Sequence, residues 1–447
     1  MLARLLLTAP PALSYDLEGG FSGGRFHFVS NHKTSFPVRE KQFVKTYLLL
    51  LKLTCSCYNL LALVVQYYRK KPEPAKYKEQ RNMKRNPFTP VFGSEPLFLA
   101  GREEIVYEVL SGLENGPGDP NRSTIIIGPR GSGKTVLLSK IAGEAQQIAW
   151  ISANVTAIEG MLDGIVEQAI RNGAAFLPQK ATAKLVGLGA FGISVRTDPV
   201  QQPQKSWRMQ MTEILEVLDE HNVGLLITVD EIDARFKEMA VLVSTYQHFV
   251  REKRNVALLM AGLPGKVLQM FSDESISFVR KAFQHRLEKV PLEDVKSTMK
   301  KTIEVSQRSI DAKALEAAAS FTDGFPFLIQ LVGYHIWKQN PETKKISVAD
   351  VEEGLKSSEE AMDRMILETT MLELSDLDAA FLKAMAQDDA ASLMSDIVRR
   401  MGVPSAKAGQ YRLRLINQGV IEPYGRGRVQ FSLPLLKGYI RKQEERP

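Results

Sequence analysis

Thr124-Ile125-Ile126-Ile127-Gly128-Pro129-Arg130-Gly131-Ser132-Gly133-Lys134-Thr135 is the stretch whose reading decides the fold. Its first four residues are a short β-branched run, suited to a strand buried on both faces of a parallel sheet. The next eight, Gly128 to Thr135, fit the phosphate-binding pattern G-x-x-x-x-G-K-[ST]. Val136 to Lys140 then reads as helix, which completes the strand–loop–helix context that the pattern requires. Gly128, Gly131 and Gly133, spaced by Pro129, Arg130 and Ser132, let backbone N–H groups turn inward around phosphates at a helix N-terminus. Lys134 would reach the β- and γ-phosphates, and the Thr135 hydroxyl would ligate Mg²⁺. The expected ligand is ATP with Mg²⁺.

A second element must hold the metal and the attacking water. Gly224 to Asp233 reads GLLITVDEID, an apolar strand from Leu225 to Val229 that ends in two carboxylates. A strand-ending acidic pair by itself is most often a solvated loop. Here it follows Thr135 by 95 residues in the same domain, which favours function. Asp230 would orient the magnesium through its water shell, and Glu231 would polarise a water for in-line attack. Asp233 is expected to cap the following helix.

Four stretches then carry a resemblance: GREEI (Gly101 to Ile105), the phosphate loop, VDEID (Val229 to Asp233) and GFPFLIQ (Gly324 to Gln330). In that order they resemble the AAA+ ATPases of the initiator-like and archaeal-type branch, which borders the STAND signalling NTPases. The resemblance covers about residues 97–442. It implies an α/β fold: a P-loop NTPase αβα core on a parallel sheet, a helical lid, and often a C-terminal winged-helix domain. It also implies that Gly101 and Arg102 lie near the adenine. Two departures stand out. The fourth core strand, predicted at Val256 to Met260, runs into Ala261 and Gly262, where many AAA+ enzymes carry a polar sensor. The lid lacks the usual sensor arginine, and Gly324-Phe325-Pro326 instead resembles the Gly-x-Pro element of STAND proteins, whose proline (here Pro326) packs near the base. Slow hydrolysis, suited to a switch, is the expectation. An arginine finger would come from Ser277 to Lys281 or from Arg286, ahead of a predicted fifth strand at Leu287 to Val290. Family position favours Arg280, reaching a neighbour's γ-phosphate in a homo-oligomer; a solvated basic helix face explains the same residues.

Further on, Ser395 to Gly402 reads as a short helix, Val403 to Ser405 as a turn, and Ala406 to Asn417 as a second helix with Tyr411, Leu413, Leu415 and Ile416 apolar. Gly419 to Ile421 and Val429 to Phe431 read as strands around a basic hairpin. Helix–turn–helix followed by a hairpin is a winged helix. Residues 391–442 hold 10 Lys/Arg against Asp396 and Glu422. Such a face could neutralise the phosphates of duplex DNA, with Lys407, Arg412 and Arg414 on the second helix and Arg426 and Arg428 in the wing. Lid or protein-docking service would leave the same face solvated.

Composition bounds the rest. The chain has 447 residues, 44% hydrophobic and 24% charged, which excludes a wholly disordered or fibrous protein. Cys55 and Cys57 are too few for a disulfide framework or a complete zinc site. The net charge of +7 is uneven: residues 1–82 hold 13 Lys/Arg and 5 Asp/Glu, a surplus of +8. That leader contains an apolar run, 47–68, close to the ~20 residues that span a bilayer, yet Lys52 interrupts it. Three readings stay open: a single membrane anchor, a non-native extension upstream of a working start at Met83, or a soluble accessory segment. The predicted organisation is a leader at 1–82, an ATPase core at 97–290, a lid at 291–368 and a winged helix at 369–447. The setting would be cytoplasmic, or membrane-anchored with the ATPase in the cytoplasm. Two functions compete: an ATP-dependent DNA-binding regulator or initiator-like protein, and a STAND-type switch whose winged helix docks on a partner or on the core.

Overall fold

The computed structural model describes residues 85–91, 93–177 and 206–445, and the backbone of 19–22 and 25–28. The 47–68 run, both cysteines and Met83 lie outside the described residues, as do residues 196–205. The Pro- and Gln-rich stretch Arg196 to Trp207 reads as a surface loop, but its Ser206 and Trp207 cap and open a helix. The chain divides into two units, 1–82 and 83–447. In the first, β1 (Gly19–Ser22) and β2 (Arg25–Phe28) pair antiparallel, with Gly19 opposite Phe28.

The second unit begins with α1 (Glu103–Asn115), β3 (Ser123–Ile127), α2 (Lys134–Ala145), β4 (Trp150–Thr156) and α3 (Met161–Asn172). It continues with α4 (Trp207–Glu220), β5 (Gly224–Asp230), α5 (Lys237–Arg251), β6 (Val256–Gly262), α6 (Pro264–Ser272) and β7 (Phe283–Arg286). The five strands form one parallel sheet in the order β4-β5-β6-β3-β7. Successive side chains of a strand point to opposite faces, and the apolar runs serve both. Ile125 and Ile127 pack with Leu225, Ile227 and Val229 beneath α3, α4 and α5. Ile126 packs with Leu226 and Leu259 beneath α1 and α2. This is the α/β P-loop architecture expected from the opening motif.

The fifth strand differs from expectation. It is β7, Phe283–Arg286, rather than Leu287 to Val290. β7 lies at the sheet edge and buries only His285, so it lacks the continuous apolar run that marks an interior strand. Leu287 donates its N–H to the Ile127 carbonyl at 2.7 Å, ending the pairing, and its side chain joins the α1–α2 core.

Next come α7 (Leu292–Val305), β8 (Ser309–Ile310), α8 (Ala312–Phe321), α9 (Pro326–Lys338), β9 (Lys345–Ile346) and α10 (Val348–Met362). Helix α9 is apolar over most of its surface and buried on two faces, with Gln330, Tyr334, His335 and Lys338 on its partly exposed side. Its Ile329, Val332 and Ile336 pack with Val295, Met299 and Ile303 of α7. Its Leu328 and Leu331 face the other way, into the core of the C-terminal segment. That segment holds α11 (Glu368–Leu372), α12 (Asp376–Ala386), β10 (Ser392–Leu393), α13 (Met394–Met401), α14 (Ser405–Asn417), β11 (Ile421–Pro423), β12 (Arg428–Phe431) and α15 (Leu436–Glu444). Its strands pair antiparallel in the order β10-β12-β11. Gly402, at φ +62°, ends α13 in the left-handed conformation that glycine adopts freely. On α14, Tyr411, Leu415 and Ile416 are buried, but Leu413 is 58% exposed. Two residues along a helix turn through roughly 200°, so Leu413 falls opposite Tyr411 and Leu415.

Leu226 sits fully buried in β5, next to the sheet centre. Leu226→Ala should cost about 2–5 kcal/mol by lost burial plus the residual cavity. Urea unfolding should show a lower midpoint at an unchanged slope. A loss below about 1 kcal/mol, the range of ordinary surface changes, would contradict this packing.

Candidate functional site

Ligands of open α/β sheets bind beyond the carboxyl ends of the strands, and the phosphate loop leaves β3 there. Gly128 donates its N–H to the carbonyl of Gly262, at the end of β6, at 3.3 Å. Gly131 and Gly133 have φ of +74° and +88°, where an L side chain is strained. Space is as restrictive as conformation. A Cβ on Gly128 would stand 2.5 Å from Ser132 Oγ, and one on Gly131 would stand 2.6 Å from Phe325 Cζ. The loop then enters α2 at Lys134, whose first-turn N–H groups lack helical acceptors. Lys134 Nζ curls over the loop and donates to the carbonyls of Gly128 (3.0 Å) and Pro129 (2.8 Å). Burial pushes its pKa down to about 8, against the pull of Asp230 and Glu231. The cradle fits phosphates: the first-turn N–H groups of α2 lack helical acceptors, and Lys134 is a desolvated cation whose hydrogen bonds go to carbonyls.

Thr135 Oγ1 donates to Asp230 Oδ2 at 2.5 Å, so both oxygens expected at the metal are already adjacent. The other Asp230 oxygen accepts the N–H of Glu231 at 2.8 Å. Glu231 has φ +53° and is exposed on the cavity side. One hydroxyl and one carboxylate suit Mg²⁺, which keeps waters and completes its shell with substrate phosphates. Among the described residues no group of three His, Cys, Asp or Glu could hold a metal by protein ligands alone.

Asp233 does not cap a helix. The residue at the cap of α5 is Phe236, with no side-chain cap. Asp233 is instead buried and accepts Lys266 Nζ at 2.8 Å and Arg235 Nη2 at 2.6 Å. Burial opposes its ionisation, but hydrogen bonds from Arg235 and Lys266 outweigh that and hold the carboxyl well below the ordinary carboxylate range.

These groups line a cavity of about 650 Å³. Its lining includes Arg130 to Thr135 with Asp230 and Glu231. It also includes Arg102, Pro326, which lies against Gly133, and a strap at 89–91 and 93–100 that the sequence motifs do not mark. The strap has no regular structure and therefore no periodic signal. It is anchored by Phe88, buried where a Cβ on Gly333 would lie 2.2 Å from its ring, and by Thr89 N–H donating to Gln330 Oε1 at 3.2 Å. Arg102 donates Nη2 to the Glu288 carbonyl at 2.5 Å. Gly101 is not in the lining; at φ +59° it turns the chain into Arg102 against Asp294. Arg280 also lies off the cavity, exposed, with Nε donating to the Phe271 carbonyl at 2.5 Å. Lys266 and Arg235 do line the cavity, and as isolated charges they carried no sequence signal.

One family model matches this chain, a domain of unknown function (DUF8462), over residues 364–440. No curated protein matches it. Among solved structures, the Walker-type ATPase PABY2304 of Pyrococcus abyssi is 16% identical, with 77% of this chain and 96% of that chain covered and a TM-score of 0.56. Cdc6p of Pyrobaculum aerophilum is 16% identical over 80% of this chain and 97% of that one, with a TM-score of 0.43. The ORC2 protein of Aeropyrum pernix in its ADP form is 14% identical over 80% and 98%, with a TM-score of 0.48. The first of these likenesses is close enough to show a shared fold: a five-stranded parallel sheet flanked by helices, entered through a phosphate loop.

Lys134 makes the site testable by pH. Its folded pKa of about 8 lies below the ordinary 10.5. Between those values the unfolded chain binds more protons than the folded one. The group therefore adds stability as pH rises through the window and withdraws it as pH falls. A triphosphate beside the ammonium would restore the higher pKa, so binding near ~pH 9 should take up close to one proton. Calorimetry in two buffers of different ionisation enthalpy measures this, and Lys134→Ala should abolish binding. Tight binding with no proton uptake would place the phosphates elsewhere.

Proposed function

We propose that the chain is an AAA+-type ATP-binding switch with slow Mg²⁺-dependent hydrolysis of ATP to ADP and phosphate. The single observation that carries this reading is the contact of Thr135 with Asp230 beside the curled Lys134, all in one cavity with Glu231. Lys134 would bind the β- and γ-phosphates, while Thr135 and Asp230 would hold Mg²⁺. The metal, when bound, supplies charge neutralisation at the phosphates. Glu231 would orient and deprotonate the attacking water. Arg102 and Pro326 would border the base. Turnover is slow in this reading because Ala261 and Gly262, buried at the end of β6, offer no polar side chain to the γ-phosphate. Arg280 would serve a neighbour's site in a homo-oligomer. The working parts would be a core at 97–290, a lid at 291–368 and a winged helix at 369–447, acting in the cytoplasm.

Two outputs compete, and separate observations favour each. Arg414 supports docking over DNA: its Nε and Nη2 both donate to Asp378 Oδ1, at 2.9 and 2.6 Å, and its charge is already paired. Helix α14 also packs on the core, since a Cβ on Gly265 of α6 would stand 2.1 Å from Asn417 Oδ1. These contacts support a switch whose C-terminal segment rests on the ATPase and leaves it when the nucleotide changes. The exposed wing residues Arg426 and Arg428 support phosphate contact with duplex DNA. Both outputs can belong to one cycle if release from the core frees α14.

Glu231→Gln should keep ATP affinity near wild type and abolish phosphate release, because the amide retains the shape without the basicity. Wild type without turnover above buffer, alone and with DNA, would reduce the protein to a binder. For the output, Arg426→Ala with Arg428→Ala should weaken all duplex sequences alike. It should also flatten the slope of log K against log salt by ~2, about 0.9 per lost phosphate contact. An unchanged slope would leave the docked switch as the function.

A further inference from the structure

The cavity contains a cation, Lys266, that the motifs do not account for. Lys266 lies in the first turn of α6, four residues beyond the last residue of β6. β6 is the neighbour of β3 in the sheet, and its terminal Gly262 carbonyl accepts the first N–H of the phosphate loop. Lys266 thus lines the same cavity as the loop residues Arg130 to Thr135, Asp230 and Glu231. Its side chain is 24% exposed, and Asp233, itself 7% exposed, fixes the ammonium at 2.8 Å. An ammonium has three donors and Asp233 takes one, which leaves two for further acceptors.

Charge balance points the same way. Asp233 is neutralised by Arg235 as well as by Lys266, so the trio carries one positive charge in surplus. Arg235 is the less suitable carrier of that surplus. Its side chain is 75% exposed, where water competes for every contact. Lys266 is held on a helix in the less solvated position. The positions that would otherwise supply a polar group, Ala261 and Gly262, have none.

We propose that Lys266 contacts the terminal phosphate of a bound nucleoside triphosphate and is the residue by which this site distinguishes triphosphate from diphosphate. The proposal rests on the ATP-binding reading of the same cavity. It also gives the nucleotide state a route outward. Lys266 lines a second cavity together with Arg130 and the α14 residues Gln410, Leu413 and Arg414. Its neighbour Gly265 is the point where α6 meets α14. Movement of Lys266 toward a phosphate would therefore act on the helix that holds the C-terminal segment to the core.

The test uses the full chain and compares Mg²⁺·ADP with Mg²⁺ and a non-hydrolysable ATP analogue by calorimetry. Lys266→Met keeps the aliphatic stem and leaves Asp233 paired with Arg235, and its melting temperature serves as the folding control. Triphosphate affinity should fall by roughly tenfold or more, the usual worth of a charge-assisted hydrogen bond, while ADP affinity stays within about twofold. Lys266→Arg should restore most of the difference. Equal losses for both nucleotides, or no loss for either, would overturn the assignment while leaving the site's ATP binding intact. Wild-type protein that binds neither nucleotide would instead overturn the ATP-binding reading, and this proposal with it.

Discussion

The contact between the phosphate loop and the first turn of α9 is the constraint on which the rest of the second unit depends. Gly131 cannot carry a side chain because the ring of Phe325 occupies the space, and Phe327 donates its N–H to the Gly131 carbonyl at 3.3 Å. Phe325 is at the same time a member of the C-terminal core, with Leu328 and Leu331 behind it. One aromatic ring therefore touches the phosphate loop on one side and belongs to the C-terminal segment's packing on the other. Close-packed interiors do not deform continuously. A change in the loop must either be absorbed at Phe325 or passed along α9.

Helix α9 can pass it along because it is packed on two faces. Its two apolar stripes belong to different cores, one shared with α7, α8 and α10 and one with the C-terminal segment. Gly333 and Gly354 make the packing tighter still: a Cβ on the first would meet Phe88, and one on the second would meet Ile336. The strap, helices α7, α8 and α10, and the C-terminal segment are thus assembled around one helix, whose N-terminus borders the cavity.

Electrostatics sets the second constraint. The site gathers Lys134, Lys266, Arg235 and Arg130 against Asp230, Glu231 and Asp233 in a partly desolvated cavity. Desolvation depresses Lys134, while two cations hold Asp233 ionised although it is buried. Breaking a buried pair by removing one partner is costly because the other charge is left uncompensated. Asp233 is doubly paired, so loss of either cation leaves it neutralised by the other.

Much of this was legible in the sequence, and the limits have a physical cause. The β-branched run, the glycine-rich loop with Lys134 and Thr135, and the acidic end of β5 determined the sheet, the conformation of the loop and the neighbourhood of Thr135 and Asp230. They could do so because backbone conformation and local spacing fix those features within a few residues. The buried interior strands were readable for the same reason. The edge strand β7 was not, because a strand that buries one residue in four has no apolar pattern. Likewise the exposure of Leu413, the pairing of Arg414 with Asp378, the hub at Asp233 and the presence of Lys266 in the cavity were decided only by tertiary structure. Each joins residues that lie apart in the sequence or sets a side chain's rotation against a distant element. Nothing in local propensity encodes which isolated lysine a parallel sheet will carry to its phosphate-binding edge; that follows from strand order, which places β6 beside β3.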